Sequence, residues 1–347
     1  MIKIKIHAIE KHRTETTFRP YLYRHVRNLF REVGIEFVTQ GNDYDLIWAA
    51  QPTFVDKYQP YNVSVERGIN SVNRLKGDVI LFDGSDSPSL MGSWDVFKET
   101  NALRLMKNSL YANKNWYSER SVLGRYYWGK SEDTDHNYQI DGEIDFTKVL
   151  LTGCNWLSTV QPQWFDYSQI PKDFDICAMF SCPAKINAEW KIIHSEYYDR
   201  FRKPFLDILE PLKERFTVRT LTNGVHVSAQ EYYQIMQRSK IVLAPFGYGE
   251  IAPRDIEVAQ FGGILLKPDM SHIETLPNPY NSTTFVSCAW DGSDMPKIIE
   301  SIVGDFKAYQ MYYVENMRKE YVQRFNPENF VIHTYNWISN LEGYGSN

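Results

Sequence analysis

Met1-Ile-Lys-Ile-Lys-Ile-His7 alternates apolar and polar residues at a period of two, the pattern of a half-buried strand rather than the unbroken apolar block of a secretion signal. The same reading predicts an amphipathic helix over Pro20–Val33, ended by Gly34. Short strands follow over Ile35–Thr39, Leu46–Ala50 and Val79–Phe82, then helical stretches through Asp95–Asn113, and a closing strand at Val149–Thr152. Lys130–His136 is a polar run and predicts an exposed loop. Asp166–Asp173, which contains Pro171, predicts a linker.

Beyond that linker the alternation restarts. Phe174–Phe180 predicts a strand and Ala188–Phe216 a long helix. Thr217–Leu221 is a strand, and Ser228 caps a helix that runs to Ser239. Ile241–Ala244 is a strand, Pro253–Phe261 a helix, Gly263–Leu266 and Thr284–Ala289 strands, and the remainder is helical to about Asn340. Strands alternating with helices at this spacing imply parallel sheets covered on both faces. The expectation is an α/β protein of two Rossmann-like domains facing each other across a cleft. Residues 1–165 form the first, 174–326 the second, and 327–347 a C-terminal helix packing back toward the first. In open parallel sheets ligands bind beyond the carboxyl ends of the strands, which directs attention to the loops after Phe180, Leu221, Ala244 and Leu266.

Composition narrows the picture only in places. A length of 347 residues suits two α/β domains better than a single core. The net charge of −5 argues against a generic nucleic-acid binder, because neutralising phosphates needs a basic surplus. No apolar run approaches the roughly 20 residues that span a bilayer. The expected location is therefore the cytoplasm. Arg24, Arg27 and Arg31, at helical spacing, read first as a solvated face and leave room for peripheral contact with a membrane. Cys154, Cys177, Cys182 and Cys288 lack metal-ligand spacing and read as buried thiols.

The segment richest in chemistry runs from Lys240 to Asp269 as strand, glycine-containing loop, helix and strand. Pro253 suits a first helical turn, and Ala252 before it is a poor cap, so N–H groups there could hold a phosphate. Arg254 and Glu257, three apart, share a helical face: an arginine fork suits a diphosphate, and a carboxylate can accept both ribose hydroxyls. Gly247 and Gly249, flanking Tyr248 and followed by Glu250, let the backbone approach a ligand. The alternative is that Arg254 merely pairs with Glu257 or Glu250 and the glycines turn the chain.

Pro245, Gly247, Arg254, Glu257, Gly262 and Ile264 resemble the C-terminal signature of GT-B glycosyltransferases, most of all their exostosin-like branch. Ala252, Val258, Gly263 and Leu265 stand where that signature has Ser, Ala, Cys and Pro. The resemblance implies that Glu257 grips the ribose of a nucleotide-sugar donor and Arg254 its diphosphate, with a hydroxyl of a glycan or other molecule as acceptor. It covers about thirty residues, and the first half carries no such motif.

Further donor-site candidates are Lys185, in the loop Ser181–Lys185, and His226, in Asn223–Val227; a solvated lysine and an incidental histidine are the competing readings. Asp83 and Asp86, just after a strand, are candidates for the base that takes the acceptor proton, although both also suit a turn. Asp133-Thr-Asp135 has the form of a manganese-binding Asp-x-Asp motif. It sits in a polar run instead of closing an apolar strand, so no metal and no other cofactor is expected. Two rival functions share these features: a sugar-nucleotide epimerase on the same fold, and a non-catalytic carbohydrate-binding protein, the latter supported by an aromatic content of 15%.

Overall fold

The computed structural model describes residues 1–8, 24–51, 61–85, 87–129, 137–152, 166–182, 194–222, 225, 227–247, 249–324 and 326–341. Asp86, Lys185, His226 and Tyr248, with Asp133 and Asp135, lie outside the described residues. By contact the chain divides into two units. The first comprises Met1–Thr159, Ile273–Pro277 and Arg324–Asn347, and the second Val160–His272 and Asn278–Gln323.

In the first unit, strand β1 (Ile2–Ala8) precedes helix α1 (Arg24–Glu32), followed by β2 (Ile35–Val38), β3 (Leu46–Gln51), helix α2 (Tyr61–Asn73) and β4 (Asp78–Asp83). Helix α3 (Ser93–Lys98), β5 (Arg104–Lys107), β6 (Ser109–Tyr111), β7 (Ser121–Val122), β8 (Asn137–Tyr138) and β9 (Val149–Leu151) complete its main run. The six-stranded sheet has the order β2-β1-β3-β4-β5-β9 and every pairing in it is parallel. Ile4 and Ile6 are buried, as the period of two demands. On α1, Val26 and Phe30 are four apart and both wholly buried, one helical stripe laid on the sheet. Arg27 donates to the Phe37 carbonyl at 3.2 Å and Arg31 pairs with Glu36 at 3.1 Å, so both side chains stitch α1 to β2.

Residues 104–111 correct the sequence reading, which had helix there. Arg104-Leu-Met-Lys107 contains only good helix formers, yet Leu105, Met106 and Lys107 are wholly buried in the sheet. Pairing with β4 on one side and β9 on the other overrides a weak local preference.

The second unit repeats the plan. It comprises β10 (Phe174–Met179), α4 (His194–Leu212), β11 (Val218–Leu221), α5 (Ala229–Gln237), β12 (Ser239–Leu243), α6 (Arg254–Gln260) and β13 (Ile264–Pro268). The chain then supplies β14 (Ile273–Thr275) to the first unit, where it pairs antiparallel with β6, and returns with β15 (Val286–Cys288), α7 (Met295–Gly304), α8 (Phe306–Tyr309) and α9 (Glu315–Arg324). The second unit's sheet has the order β11-β10-β12-β13-β15, all parallel. The order reverses between β10 and β12, which makes the ends of those two strands the topological switch point. Ser228 caps α5 as expected, accepting from the Glu231 N–H at 3.1 Å.

The last helix, α10 (Pro327–Ser339), belongs to the first unit. Phe330, Val331 and Ile338 join the core made by Ile4, Phe30, Phe37, Trp48 and Phe82, with Phe330 edge-on to Phe30 and Trp337 stacked on Trp48. Among the described residues no helix is long and apolar enough to cross a membrane. Truncating Phe330 to Ala is expected to lower stability by about 3–5 kcal/mol, read as a lower urea midpoint with unchanged slope. A loss below about 1 kcal/mol would mean that α10 does not share this core.

Candidate functional site

The switch point of the second unit is built by side chains from several elements. Arg202 of α4 is buried and donates to the carbonyls of Phe246, at 2.7 Å, and Ser181, at 3.2 Å. It therefore ties the loop after β10 to the loop after β12. Nothing in the local sequence marks Arg202 for this task, because its partners are backbone groups remote in the chain.

Helix α6, which follows the β12 loop, carries Arg254 and Glu257 as predicted, and no direct ion pair joins them. Tyr232 of α5 stands between: the Arg254 Nε–H donates to its hydroxyl at 3.2 Å, and the hydroxyl donates to the Glu257 carboxylate at 3.3 Å. Both charged side chains are half-buried. Burial opposes the Arg254 charge, but the Tyr232 hydroxyl and the Asp255 carboxylate more than offset it and hold the guanidinium pKa above its usual value. Burial raises the Glu257 carboxyl pKa, against the pull of Arg254 and Tyr232. The Tyr232 hydroxyl is pushed up to about 12, chiefly by burial. A fixed guanidinium and a carboxylate, spaced by one tyrosine, offer a ligand one anion site and one hydroxyl site.

The start of α6 differs from the sequence expectation. Asp255 supplies the cap that Ala252 lacks, its carboxylate accepting from the Ala252 N–H at 3.1 Å. The N–H groups of Asp255, Ile256 and Glu257 are committed to the carbonyls of Ala252 and Pro253. The start of α6 therefore offers no row of open N–H groups, and the charge nearest to it that an anion could meet is the Arg254 guanidinium.

The far end of α6 is held as firmly. Gly262 has φ +69°, the Gly263 N–H donates to Val258 and the Gly262 N–H to Ala259, which together form a Schellman cap. A Cβ on Gly262 would lie 2.2 Å from Cγ of Tyr167, so only glycine fits. Arg318 donates to the carbonyls of Ala259 and Gln260, Lys172 to Phe261 and Gln310 to Gly262. Cations at a helix C-terminus also suit its dipole. Burial pulls the Lys172 ammonium down to about 8.

The other predicted residues are placed differently. Gly247 lies in the β12 loop, its N–H bonded to the Gly249 carbonyl at 2.9 Å. Glu250 is folded wholly inside the same loop, with His272 Nε2 at 3.6 Å from Oε1 and, among the described residues, no hydrogen bond to either carboxylate oxygen. Asp83, in the first unit, ends β4 as expected. It is buried, bonded to the Ser85 N–H at 2.9 Å and paired with Lys107 at 2.8 Å. As folded, Asp83 neutralises an interior lysine. Among the described residues no group of His, Cys, Asp and Glu could hold a metal ion.

No family model matches the chain, and no curated protein sequence matches it. Solved structures do. Sucrose-phosphate synthase from Thermosynechococcus elongatus is similar at TM-score 0.51 and 11% identity, covering 99% of each chain. A mutant of T4 phage BGT in complex with UDP-glucose is similar at TM-score 0.50 and 9% identity, covering 96% of this chain and 99% of that one. The two doubly wound α/β units are thus those of the GT-B fold, with a helical C-terminal region.

Two stability measurements test these placements. Asp83→Leu or Lys107→Met alone is expected to cost about 3–5 kcal/mol in urea unfolding, with most of the loss recovered in the double variant. Equal losses in all three would show that the pair is not the coupling unit. For Lys172 the folded pKa of about 8 lies below the ordinary lysine value of 10.5, so between those values the unfolded state holds more protons and stability rises with pH. The stability of wild type relative to Lys172→Gln is expected to increase from pH 8 to pH 10; a flat difference would place the ammonium in solvent.

Proposed function

We propose that this protein transfers a glycosyl group from a nucleotide-activated donor to a hydroxyl acceptor, and that the donor is held by the second unit at the switch-point end of its sheet. The observation that carries the reading is the Arg254–Tyr232–Glu257 relay between helices α6 and α5, at the location where open parallel sheets bind ligands. The likeness of α6 and its loop to the donor-binding signature of the exostosin-like GT-B branch supports the same assignment. So does the fold shared with BGT, which was solved with UDP-glucose.

In this reading the Arg254 guanidinium takes the donor diphosphate and the Glu257 carboxylate accepts the ribose hydroxyls. The bond between the sugar and its phosphate oxygen breaks, the acceptor oxygen takes the sugar, and the acceptor proton passes to a base. Arg254 is already fixed when negative charge grows on the departing diphosphate, so little reorganisation is needed to stabilise it. Lys185 and His226 are further donor-contact candidates, and with Asp83 closed off by Lys107, Asp86 is the candidate for the base.

Thermal shift against UDP, GDP, ADP and CMP and their sugar conjugates is expected to show stabilisation by one nucleotide class, because a ligand of the native state stabilises by mass action. Glu257→Ala is expected to weaken that nucleotide at least tenfold while keeping the wild-type melting temperature within a few degrees. Unchanged affinity would remove Glu257 from the site.

The raised pKa adds a signature. A carboxyl that binds its proton more tightly when folded contributes stability below the ordinary value of 4.5, and loses it as pH rises through the folded pKa. Ribose recognition needs the ionised form. Nucleotide affinity is therefore expected to fall with decreasing pH at values above 4.5, and Glu257→Gln to lose this limb. A limb that survives in that variant belongs to another group.

A further inference from the structure

Asp255, the neighbour of Arg254, has a carboxylate with essentially no exposed surface, yet it collects four contacts. The Tyr280 hydroxyl donates to Oδ2 at 2.5 Å and the Ala252 N–H at 3.1 Å, while Lys267 Nζ lies 3.3 Å from Oδ1 and 3.2 Å from Oδ2. Lys267 is itself wholly buried near the end of β13. It also donates to the Ala244 carbonyl, just past β12, at 3.4 Å, and lies 5.4 Å from the centre of the Phe246 ring. This one ion pair therefore joins the end of β12, its loop, the first turn of α6, β13 and the segment carrying Tyr280.

A buried pair of this kind contributes little net stability compared with well-packed apolar side chains, so its value lies in fixing an arrangement. Apolar contacts between α6 and the sheet tolerate sliding and rotation. A carboxylate with three donors in fixed directions does not. Because Asp255 is adjacent to Arg254 and one helical turn contains Glu257, the pair sets the rotation of the helix that presents both.

We infer that Lys267 and Tyr280, acting through Asp255, are positioning residues that hold Arg254 and Glu257 in register for the nucleotide. The inference rests on the donor-site reading above and adds residues that do not themselves touch the donor. Its consequence is that stability and nucleotide affinity separate: an all-apolar replacement of the cluster keeps the fold and loses the register.

The test uses the full chain and a fixed panel of UDP, GDP, ADP and CMP. Isothermal titration and thermal melting are compared for wild type, Asp255→Leu/Lys267→Met/Tyr280→Phe and Tyr280→Phe. The triple variant is expected to melt within a few degrees of wild type and to bind the preferred nucleotide at least tenfold more weakly. Tyr280→Phe, which removes one donor and leaves the ion pair, is expected to weaken binding about threefold to tenfold. A stable triple variant with wild-type affinity would overturn the positioning role. Should the triple variant not fold, unchanged affinity in Tyr280→Phe would overturn it as well. Wild type that binds none of the four nucleotides would instead overturn the donor reading itself, so the two failures are distinguishable.

Discussion

A helix of seven residues cannot hold itself in place. Helix α6 has few internal hydrogen bonds, and short helices are marginal without external support. Every feature around it answers that constraint. Asp255 closes the first turn, Gly262 and Gly263 close the last, and Arg318, Lys172 and Gln310 take the terminal carbonyls. With both ends fixed, two charged side chains on its flank acquire directions as definite as those on a much longer helix.

The same economy explains why a polar cluster lies so deep in the second unit. The carboxyl ends of parallel strands leave carbonyls without partners, and loops that pass over them need donors from inside the molecule. Arg202 serves the ends of β10 and β12, and Lys267 serves Ala244. Each buried cation is tolerable because its charge is spread over several oxygens. Asp83 and Lys107 solve the corresponding problem at the end of β4 in the first unit, with one carboxylate and one ammonium facing each other out of water. A strand end in this fold can thus be closed by an internal pair, or followed by a helix whose charges, such as Arg254 and Glu257, stay half-buried.

Much of the architecture was legible because it is written in short-range periodicity. Ile4 and Ile6 announce β1, Val26 and Phe30 announce the buried stripe of α1, and Ser228 announces α5. The bounds of α6 followed from Pro253 and Gly262, and the shared flank of Arg254 and Glu257 from helical geometry. Residues 104–107 misled because a short central strand needs only burial, and its composition resembles that of a helix. Asp255 and Lys267 were passed over for a related reason. In Ile-Leu-Leu-Lys-Pro268 the lysine stands just past the expected strand Gly263–Leu266 and carries no local sign of burial; only the tertiary fold encloses it.

The sequence alone determined most of the succession of strands and helices, residues 104–111 excepted, the repeated α/β plan, and which side chains share the flank of α6, since each depends on a few neighbouring residues and the fixed geometry of the backbone. Tertiary structure alone decided that Tyr232 stands between Arg254 and Glu257, that Asp83 is spent on Lys107, and that Lys267 reaches Asp255. Those choices join groups separated along the chain, and a polar atom taken out of water accepts whichever partner the packing brings within hydrogen-bonding distance.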